Sequence, residues 1–437
     1  MMNIHRYEQQ QRELQDEERE LVLPFPAIGL SSVAVAGGKA ANLGELTQAG
    51  FPVPPGFCVT TAAYALVAEE AGLEPLLVEL AAVGADDAMQ LADGASAVRS
   101  RLLAAPMPAS VAEAIRKAYP ELAQDSMVPL AVRSSATTED LPNASFAGQQ
   151  ETYLNIIGLE ALLDAVQRCW ASLWTERAVS YRASLGIDPR AVRLAVAVEL
   201  LVDATVAGVL FTADPLTGRR RQVVIDANPG LGEAVVSGAV NPDHFVVQTT
   251  TRQITQRRLG EKLLAVRATA GGGTEHVELT TGKTEACLTD EQIRALAALG
   301  ARVEAHYGAP QDIEWAIDAS GKLWLVQSRP ITTLYPLPDS APESDEVLRV
   351  YFCVNVIQGV YGPLTPMGIA VLRLSGSGIA GVFGLAPSDP LRGPAILVEA
   401  GGRLFLDVTS ALRTAIGRRF LLAVAQIGEA PSVALFQ

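Results

Sequence analysis

The sequence has few cysteines, and their spacing excludes two classes of protein. Its 437 residues include four cysteines, Cys58, Cys169, Cys287 and Cys353, which lie far apart and form no Cys-x-x-Cys pair. Small disulfide-rich domains and structural zinc sites both need cysteines that recur at short intervals. The sequence therefore predicts neither a disulfide framework nor a zinc site.

Basic residues and long apolar runs are also scarce. Lys and Arg total 34 against 48 Asp and Glu, so the formal net charge is −14 at pH 7. A field of this sign repels a polyanion, and we expect no nucleic-acid partner. No run approaches the about 18 apolar residues of a membrane-spanning helix. The N-terminus is polar and lacks the apolar core of a signal peptide, so we expect a cytoplasmic protein without a membrane span.

Apolar residues make up 49% of the chain, enough for sizeable cores in about three domains. Apolar residues at helical spacing predict one long helix from about Leu159 to Leu185. Residues 191–330 are mainly short β-branched runs separated by turn signals, which predicts a sheet region. The chain ends in the apolar string SVALFQ without a stop signal, so we expect its last domain to be incomplete.

Gly37-Gly38-Lys39 precedes a predicted helix and is a candidate phosphate-binding site. The glycines let backbone amides approach a phosphate, the helix N-terminus favours an anion, and Lys39 adds a mobile cation. Taken alone, the string is more typical of an ordinary loop.

Arg133 lies near the end of a predicted strand, before a loop of small and hydroxyl-bearing residues over 136–150. Such a loop can fold over a polyphosphate while the guanidinium makes a two-pronged contact with it. The alternative is a surface loop with a solvated arginine.

Asp312 and Glu314 stand at i and i+2 on one predicted strand, and Gln327 and Arg329 stand likewise on the next. Each pair shares a face of its strand. A two-residue turn at Ser320-Gly321, or a four-residue loop closed by Asp318 and Leu323, would place Glu314 opposite Gln327, and Asp312 opposite Arg329. Two carboxylates, an amide oxygen and a guanidinium suit Mg²⁺ bound to nucleotide phosphates. The alternative is an exposed polar sheet face.

Together these motifs resemble the N-terminal nucleotide-binding half of phosphoenolpyruvate synthase and pyruvate phosphate dikinase, and of the related rifampicin phosphotransferases. The resemblance covers about residues 27–333. The strings that carry it include GGKAANLGEL (37–46), AVRSSATTEDLPNASFAGQQETYLN (131–155), AGVLFTADPLTG (207–218), GLGEAVVSG (230–238) and DIEWAID-x3-KLWLVQSRPIT (312–332).

The resemblance implies an α+β fold of the ATP-grasp type, in which two lobes close on ATP. The implied lobes are an N-terminal lobe (27–198) and a C-terminal lobe (199–333). Composition predicts a polar tail before them (1–26) and a linker rich in Pro, Ser and acids after them (334–347), and a looser resemblance indicates the start of a central domain (348–437).

The resemblance also implies roles for single residues. Lys39 and Arg133 match the family's phosphate-binding cations, Glu314 and Gln327 match its magnesium ligands, and Asp312 and Arg329 lie beside the phosphates. Lys39, Arg133 and Arg329 are the implied catalytic residues. The family's Gln-x-Met string near the adenine reads Glu199-Leu200-Leu201 here, so Glu199 and Leu201 are implied nucleotide contacts with an altered side chain.

ATP and Mg²⁺ are the implied cofactors, and pyruvate or an antibiotic is the implied phosphoryl acceptor. In the family, a histidine in a Thr-Ser-His string on a separate domain carries the phosphoryl group, and this sequence contains no such string. From the resemblance, the first hypothesis is a phosphotransferase of the phosphoenolpyruvate synthase type, represented here by its ATP-activating part. The alternatives are an antibiotic-inactivating phosphotransferase and a non-catalytic nucleotide-binding module.

Overall fold

The computed structural model describes residues 20–123, 127–137, 140–141, 144–145, 151–279, 285–342, 347–354, 362–382 and 384–428. The chain divides into two compact units, residues 1–331 and 332–437, and each is described by itself. Both units combine helices with antiparallel sheets, so the predicted α+β class is confirmed.

The first lobe of unit 1 packs helices against a five-stranded sheet. The helices are α1 (Val33–Gln48), α2 (Thr61–Glu70), α3 (Glu74–Ala81), α4 (Ala88–Ala104), α5 (Ala109–Leu122), α6 (Leu159–Ser172) and α7 (Glu176–Ser184). The sheet contains β1 (Val22–Pro24), β2 (Gly56–Val59), β3 (Leu130–Ala136), β6 (Thr152–Ile156) and β7 (Leu194–Leu200) in the antiparallel order β1-β2-β7-β3-β6. The short strands β4 (Asp140–Leu141) and β5 (Ala144–Ser145) pair with each other.

Helix α6 shows how the helical layer covers the sheet. Leu162, Val166 and Trp170 recur every fourth residue and are fully buried. This spacing places them on one face of the helix, where they join a core that includes Val132 and Val196 of the sheet.

The predicted single helix from Leu159 to Leu185 is wrong, because α6 ends at Ser172 and α7 begins at Glu176. The Thr175 hydroxyl accepts a hydrogen bond from the backbone N–H of Ala178 at 3.4 Å and caps α7. Trp174, in the break between the helices, turns into the core.

The structure also differs from the predicted polar tail over 1–26, because β1 lies within that range. Val22 pairs with Val59, and Leu23 is buried. Two adjacent apolar residues suffice for a short edge strand on this sheet. Residues 1–19 lie outside the described residues.

The second lobe of unit 1 is a six-stranded antiparallel sheet in the order β11-β10-β9-β8-β14-β15. Its strands are β8 (Ala204–Phe211), β9 (Gln222–Pro229), β10 (Asp243–Gln248), β11 (Ile254–Arg258), β14 (Gln311–Asp318) and β15 (Leu323–Pro330). A hairpin of β12 (Leu264–Ala268) and β13 (Thr274–Glu278) and two helices, α8 (Glu233–Val236) and α9 (Asp290–Tyr307), complete it. Strand β7, which carries Glu199, belongs to the first sheet, so the boundary predicted at residue 198 falls inside a strand.

Alternation along β14 separates the core of this lobe from its polar face. Ile313, Trp315 and Ile317 are buried together with residues of α9, such as Ile293. Glu314 projects from the opposite face, because successive side chains of a strand point to opposite sides.

Unit 2 contains a three-stranded antiparallel sheet in the order β16-β18-β17, formed by β16 (Tyr351–Cys353), β17 (Leu397–Ala400) and β18 (Arg403–Asp407). Its helices are α10 (Pro366–Val382), α11 (Thr409–Leu412) and α12 (Ala415–Gly428). Among the described residues of both units, no helix is long and apolar enough to cross a membrane.

Candidate functional site

A cavity of about 560 Å³ in unit 1 brings together nearly all the residues singled out from the sequence. Seven of the eight line it: Lys39, Arg133, Glu199, Leu201, Glu314, Gln327 and Arg329. The eighth, Asp312, contacts the lining residue Arg329. Residues from β3 and β7 of the first sheet and from β8, β14 and β15 of the second contribute to the wall, so both lobes build the site.

Lys39 is positioned by a kink in α1. Gly37 interrupts the helix with φ 70° and ψ 171°. The Ser135 hydroxyl bridges the kink by accepting a hydrogen bond from the backbone N–H of Ala40 at 3.1 Å and donating to the carbonyl of Ala36 at 2.7 Å. A Cβ on Gly37 would lie 2.1 Å from the Ser135 carbonyl oxygen, so only glycine allows this approach. The kink places Lys39 in the first turn after it, on the cavity wall.

Arg133 lies between two carboxylates from different strands. Its Nε is 3.2 Å from Glu199 Oε1, and its Nη1 is 3.4 Å from Glu314 Oε2. Nη1 also donates to the carbonyl of Val326 at 3.2 Å. Burial opposes the charge of Arg133, but the attraction of both carboxylates outweighs it and holds the pKa of Arg133 above its usual range.

Glu199 is the most deeply buried acidic group of the cavity, with 1% of its surface exposed. Burial, reinforced by repulsion from Glu314, raises its pKa to about 7, although Arg133 lowers it. In the described part of the chain, Oε2 of Glu199 is buried without a hydrogen-bond partner. The side chain is thus directed at the arginine, and its contact with an adenine stays a prediction.

The predicted register of the β14–β15 hairpin is confirmed at the site. Glu314 pairs with Gln327, and Asp312 pairs with Arg329. The predicted two-residue turn and the alternative four-residue loop are both wrong, however, because Asp318 and Lys322 close a three-residue loop. A bulge compensates for the one-residue difference in loop length. Trp315 pairs with Leu325, so Val326 has no opposite residue, and the register shifts by one before Gln327.

The bulge has a function in the site. A bulged residue leaves the regular ladder and changes the direction of its backbone groups. The Val326 carbonyl is the one that accepts the hydrogen bond from Arg133. The hairpin therefore holds Arg133 with its backbone as well as with Glu314.

Asp312 and Arg329 form a close ion pair beside the Glu314–Gln327 pair. Nε and Nη2 of Arg329 lie 2.9 Å and 2.8 Å from Oδ2 of Asp312. Burial, with repulsion from Glu314, raises the pKa of Asp312 despite the attraction of Arg329. The pair fixes the direction of the guanidinium at the edge of the cavity.

The side chains of Glu314 and Gln327 fit a magnesium site completed by phosphates. They are directly opposed across the hairpin and both line the cavity. No group of three or more His, Cys, Asp or Glu that could hold a metal occurs among the described residues. Mg²⁺ is commonly bound by one or two protein oxygens together with phosphate oxygens and water, so this sparse donor set suits it.

Sequence reasoning missed several lining residues, including Thr152, Leu154, Gly208, Gly232 and Glu233. A signal was present for all five, since they lie in strings that resemble the family, but no role was assigned to them. A Cβ on Gly208 would lie 1.9 Å from the Asp226 carbonyl oxygen, so this glycine is required by the spacing of β8 and β9. Most of the predicted phosphate loop over 136–150 lies outside the described residues.

Comparisons with known proteins agree with this geometry. A family model described as "Pyruvate phosphate dikinase, AMP/ATP-binding domain" matches residues 33–346. The chain is 43% identical to a rifampicin phosphotransferase of Streptomyces sp. over 412 residues, and 41% identical to that of Bacillus subtilis over 405 residues. These alignments cover 94% and 92% of this chain. A phosphoenolpyruvate synthase of Pyrococcus furiosus is 42% identical over 367 residues, which cover 74% of this chain.

The relatives differ in how much of this chain they match. The chain spans 44–45% of the length of these relatives. The rifampicin phosphotransferase alignments cover at least 92% of it and therefore extend into unit 2, which begins at Thr332. The phosphoenolpyruvate synthase alignment covers 74% of this chain, which is no more than the share of the chain that lies in unit 1.

Proposed function

The chain belongs to the family of the pyruvate phosphate dikinase AMP/ATP-binding domain, and we propose that it binds MgATP and activates its phosphates in an ATP-dependent phosphotransferase reaction. The observation that carries this proposal is the convergence of Lys39, Arg133 and Arg329 with the opposed pair Glu314 and Gln327 on one cavity. Three cations and two oxygen ligands around one cavity fit a polyphosphate bound with a divalent cation.

Each cation acts through the way in which the chain holds it. Arg133 is oriented by two carboxylates and a backbone carbonyl, and Arg329 is oriented by Asp312. Preorganised charges stabilise the charge that develops on transferring phosphates without having to rearrange during the reaction. Lys39 supplies the third cation, which the Gly37 kink places on the cavity wall.

Glu314 and Gln327 would hold Mg²⁺, which supplies further neutralisation of phosphate charge when bound. The apolar side chains of Leu154, Leu200 and Leu231 line another part of the same cavity. They can exclude water from the nucleotide and take the apolar faces of its base. Glu199 and Leu201 lie in or beside the strand that enters this region, and their proposed role is contact with the nucleotide.

The acceptor is proposed from the relatives, and two classes stay open. Phosphoenolpyruvate synthase relatives favour pyruvate. Rifampicin phosphotransferase relatives favour an antibiotic, and this second candidate is supported by alignments that reach into residues 332–437. Because the sequence contains no Thr-Ser-His string, we assign the carrier histidine to a protein segment outside these 437 residues. Phosphoryl transfer from ATP to pyruvate or to rifampicin, with a relative's histidine domain added, would separate the two.

The nucleotide proposal is tested by Lys39→Ala, with MgATP binding measured by calorimetry. Charge-assisted contacts contribute about 1.5–3 kcal/mol, so we expect the Kd to rise by about ten- to hundredfold. Lys117→Ala, on the exposed side of α5, is the matched control and should leave the Kd unchanged. Equal Kd values for wild type and Lys39→Ala would contradict the proposed site. Binding that responds as expected but never supports phosphoryl transfer to either acceptor would favour a non-catalytic nucleotide-binding module.

A further inference from the structure

A second cavity of about 310 Å³ lies in the helical layer of the first lobe. Residues of α3, α4 and α7 and the turn at Pro189–Ala191 form its wall. It shares no lining residue with the first cavity, which Lys39, Arg133 and Glu314 line and which is called the nucleotide cavity below. Its size falls within the range of sites that hold small ligands.

Arg182 of α7 lines this cavity although it is almost fully buried, with 5% of its surface exposed. Within the described part of the chain, no carboxylate lies at ion-pair distance from it. Its Nη2 donates one hydrogen bond, to the carbonyl of Leu173 at 2.5 Å. Its guanidinium also lies over the ring of Trp174, 5.3 Å from the centroid.

The contact with Leu173 gives Arg182 a structural role, since a cation stabilises the carbonyl end of helix α6. That contact uses one of the five N–H groups of the guanidinium. The described residues provide no acceptor for the others. A structural role therefore accounts for the position of Arg182 but leaves most of its hydrogen-bonding capacity unused.

Among the described residues, the charge of Arg182 has no compensating anion. Burial lowers its pKa to about 10 against the opposing effect of the Tyr64 phenol, so the group stays protonated at neutral pH. Asp188 also lines the cavity, but its carboxylate is bound by Arg190 at 2.7 Å. A buried cation without an anionic partner is unfavourable, and an anion bound from solution would compensate its charge.

We propose that this cavity binds a small organic carboxylate with an apolar body. The carboxylate would form paired hydrogen bonds with the free edge of Arg182, the geometry in which arginine binds carboxylates best. Leu80, Leu91 and Ile187, which line the same cavity, would contact the apolar body. The site is separate from the nucleotide cavity and does not depend on the phosphotransferase proposal.

The first test compares benzoate with benzamide on the wild-type chain by ligand-observed NMR titration. Saturating MgATP is present so that the cations of the nucleotide cavity are occupied. We expect one saturable benzoate site, with benzamide at least tenfold weaker because it lacks the negative charge. Equal affinity of the two compounds, or no saturation by benzoate up to 20 mM, would overturn the proposal.

Variants then locate the benzoate site. Ala183→Leu fills the cavity while keeping Arg182, and Arg182→Met removes the charge; both should weaken benzoate binding at least tenfold. Arg177→Met removes an exposed cation from the same helix and should change nothing. If Arg182→Met fails to fold, Ala183→Leu alone decides, and benzoate binding that survives in it would place the site elsewhere.

Discussion

Glu199→Gln is the change that most directly tests the electrostatics of the nucleotide cavity. The substitution keeps the shape of the side chain, but it removes a buried charge whose Oε1 lies 3.2 Å from Nε of Arg133 and whose Oε2 has no hydrogen-bond partner among the described residues. In the folded chain the pKa of Glu199 is raised from 4.5 to about 7, chiefly by burial. The native state therefore binds a proton more tightly than the unfolded state does.

The sign and size of the effect follow from this difference in pKa. Between pH 4.5 and about 7 the native state holds more protons, so the free energy of unfolding falls as the pH rises through this window. One pKa unit corresponds to about 1.4 kcal/mol of free energy. The rise of the Glu199 pKa from 4.5 to about 7 therefore lowers the free energy of unfolding by about 3 kcal/mol by pH 8. The pKa of Glu199 is raised to about 7 although Arg133 attracts the ionised carboxylate. Glu199→Gln has no such loss, and its stability relative to wild type should rise by about 3 kcal/mol between pH 4.5 and pH 8.

Urea denaturation at several pH values measures this directly. All four tryptophans, Trp170, Trp174, Trp315 and Trp324, lie in unit 1, so tryptophan fluorescence reports its unfolding without interference from unit 2. Glu113→Gln, an exposed glutamate on α5, is the matched control and should not change the pH dependence. A difference between Glu199→Gln and wild type that is the same at pH 5 and pH 8 would refute the reasoning. The same variant should tighten MgATP binding at pH 8, since it removes negative charge from the cavity.

Two further substitutions test the local geometry of the site. Gly37→Ala should destabilise unit 1 by about 1–3 kcal/mol more than Gly50→Ala, in the same urea assay. Both glycines have positive φ. Only at Gly37 does the new Cβ meet another backbone segment, whereas at Gly50 nothing lies within 4 Å. Equal losses of stability in the two variants would show that the backbone around Gly37 shifts to accommodate the Cβ. Asp312→Asn should weaken MgATP binding several-fold, because Arg329 loses the charge that orients it, and should change stability by less than about 1 kcal/mol, because the guanidinium is partly exposed. Unchanged affinity by calorimetry would show that Arg329 does not need Asp312.

Much of the site could be predicted from the sequence because its residues follow local rules. Two-residue periodicity placed Asp312 and Glu314 on one face of a strand, and the structure confirms their opposition to Arg329 and Gln327. The glycine pair was predicted to precede a helix, whereas the helix begins at Val33 and Gly37 kinks it from within. The pair nevertheless indicated where Lys39 approaches the cavity. The resemblance to a known family then joined motifs that lie far apart in the chain, which spacing alone could not do.

What could not be predicted depends on contacts between distant segments. Glu199 and Arg133 lie on neighbouring strands of one sheet, and neither strand's pattern indicates that the two side chains meet. The break between α6 and α7 depends on Trp174 turning into the core, which local helix periodicity does not reveal.

The hairpin shows that a correct prediction can rest on a partly wrong argument. Assuming a two-residue turn or a four-residue loop gave the right pairing of Glu314 with Gln327, yet the loop has three residues and Val326 forms a bulge. The two differences cancel at the site. With the observed loop and no bulge, Glu314 would lie opposite Val326, and Gln327 would point to the other face of the sheet. The bulge thus decides whether the two oxygen ligands share a face, and it also frees the Val326 carbonyl for Arg133. One irregular residue therefore links the proposed magnesium ligands to Arg133, the proposed phosphate-binding arginine, so the hairpin and Arg133 are best regarded as a single element of the site.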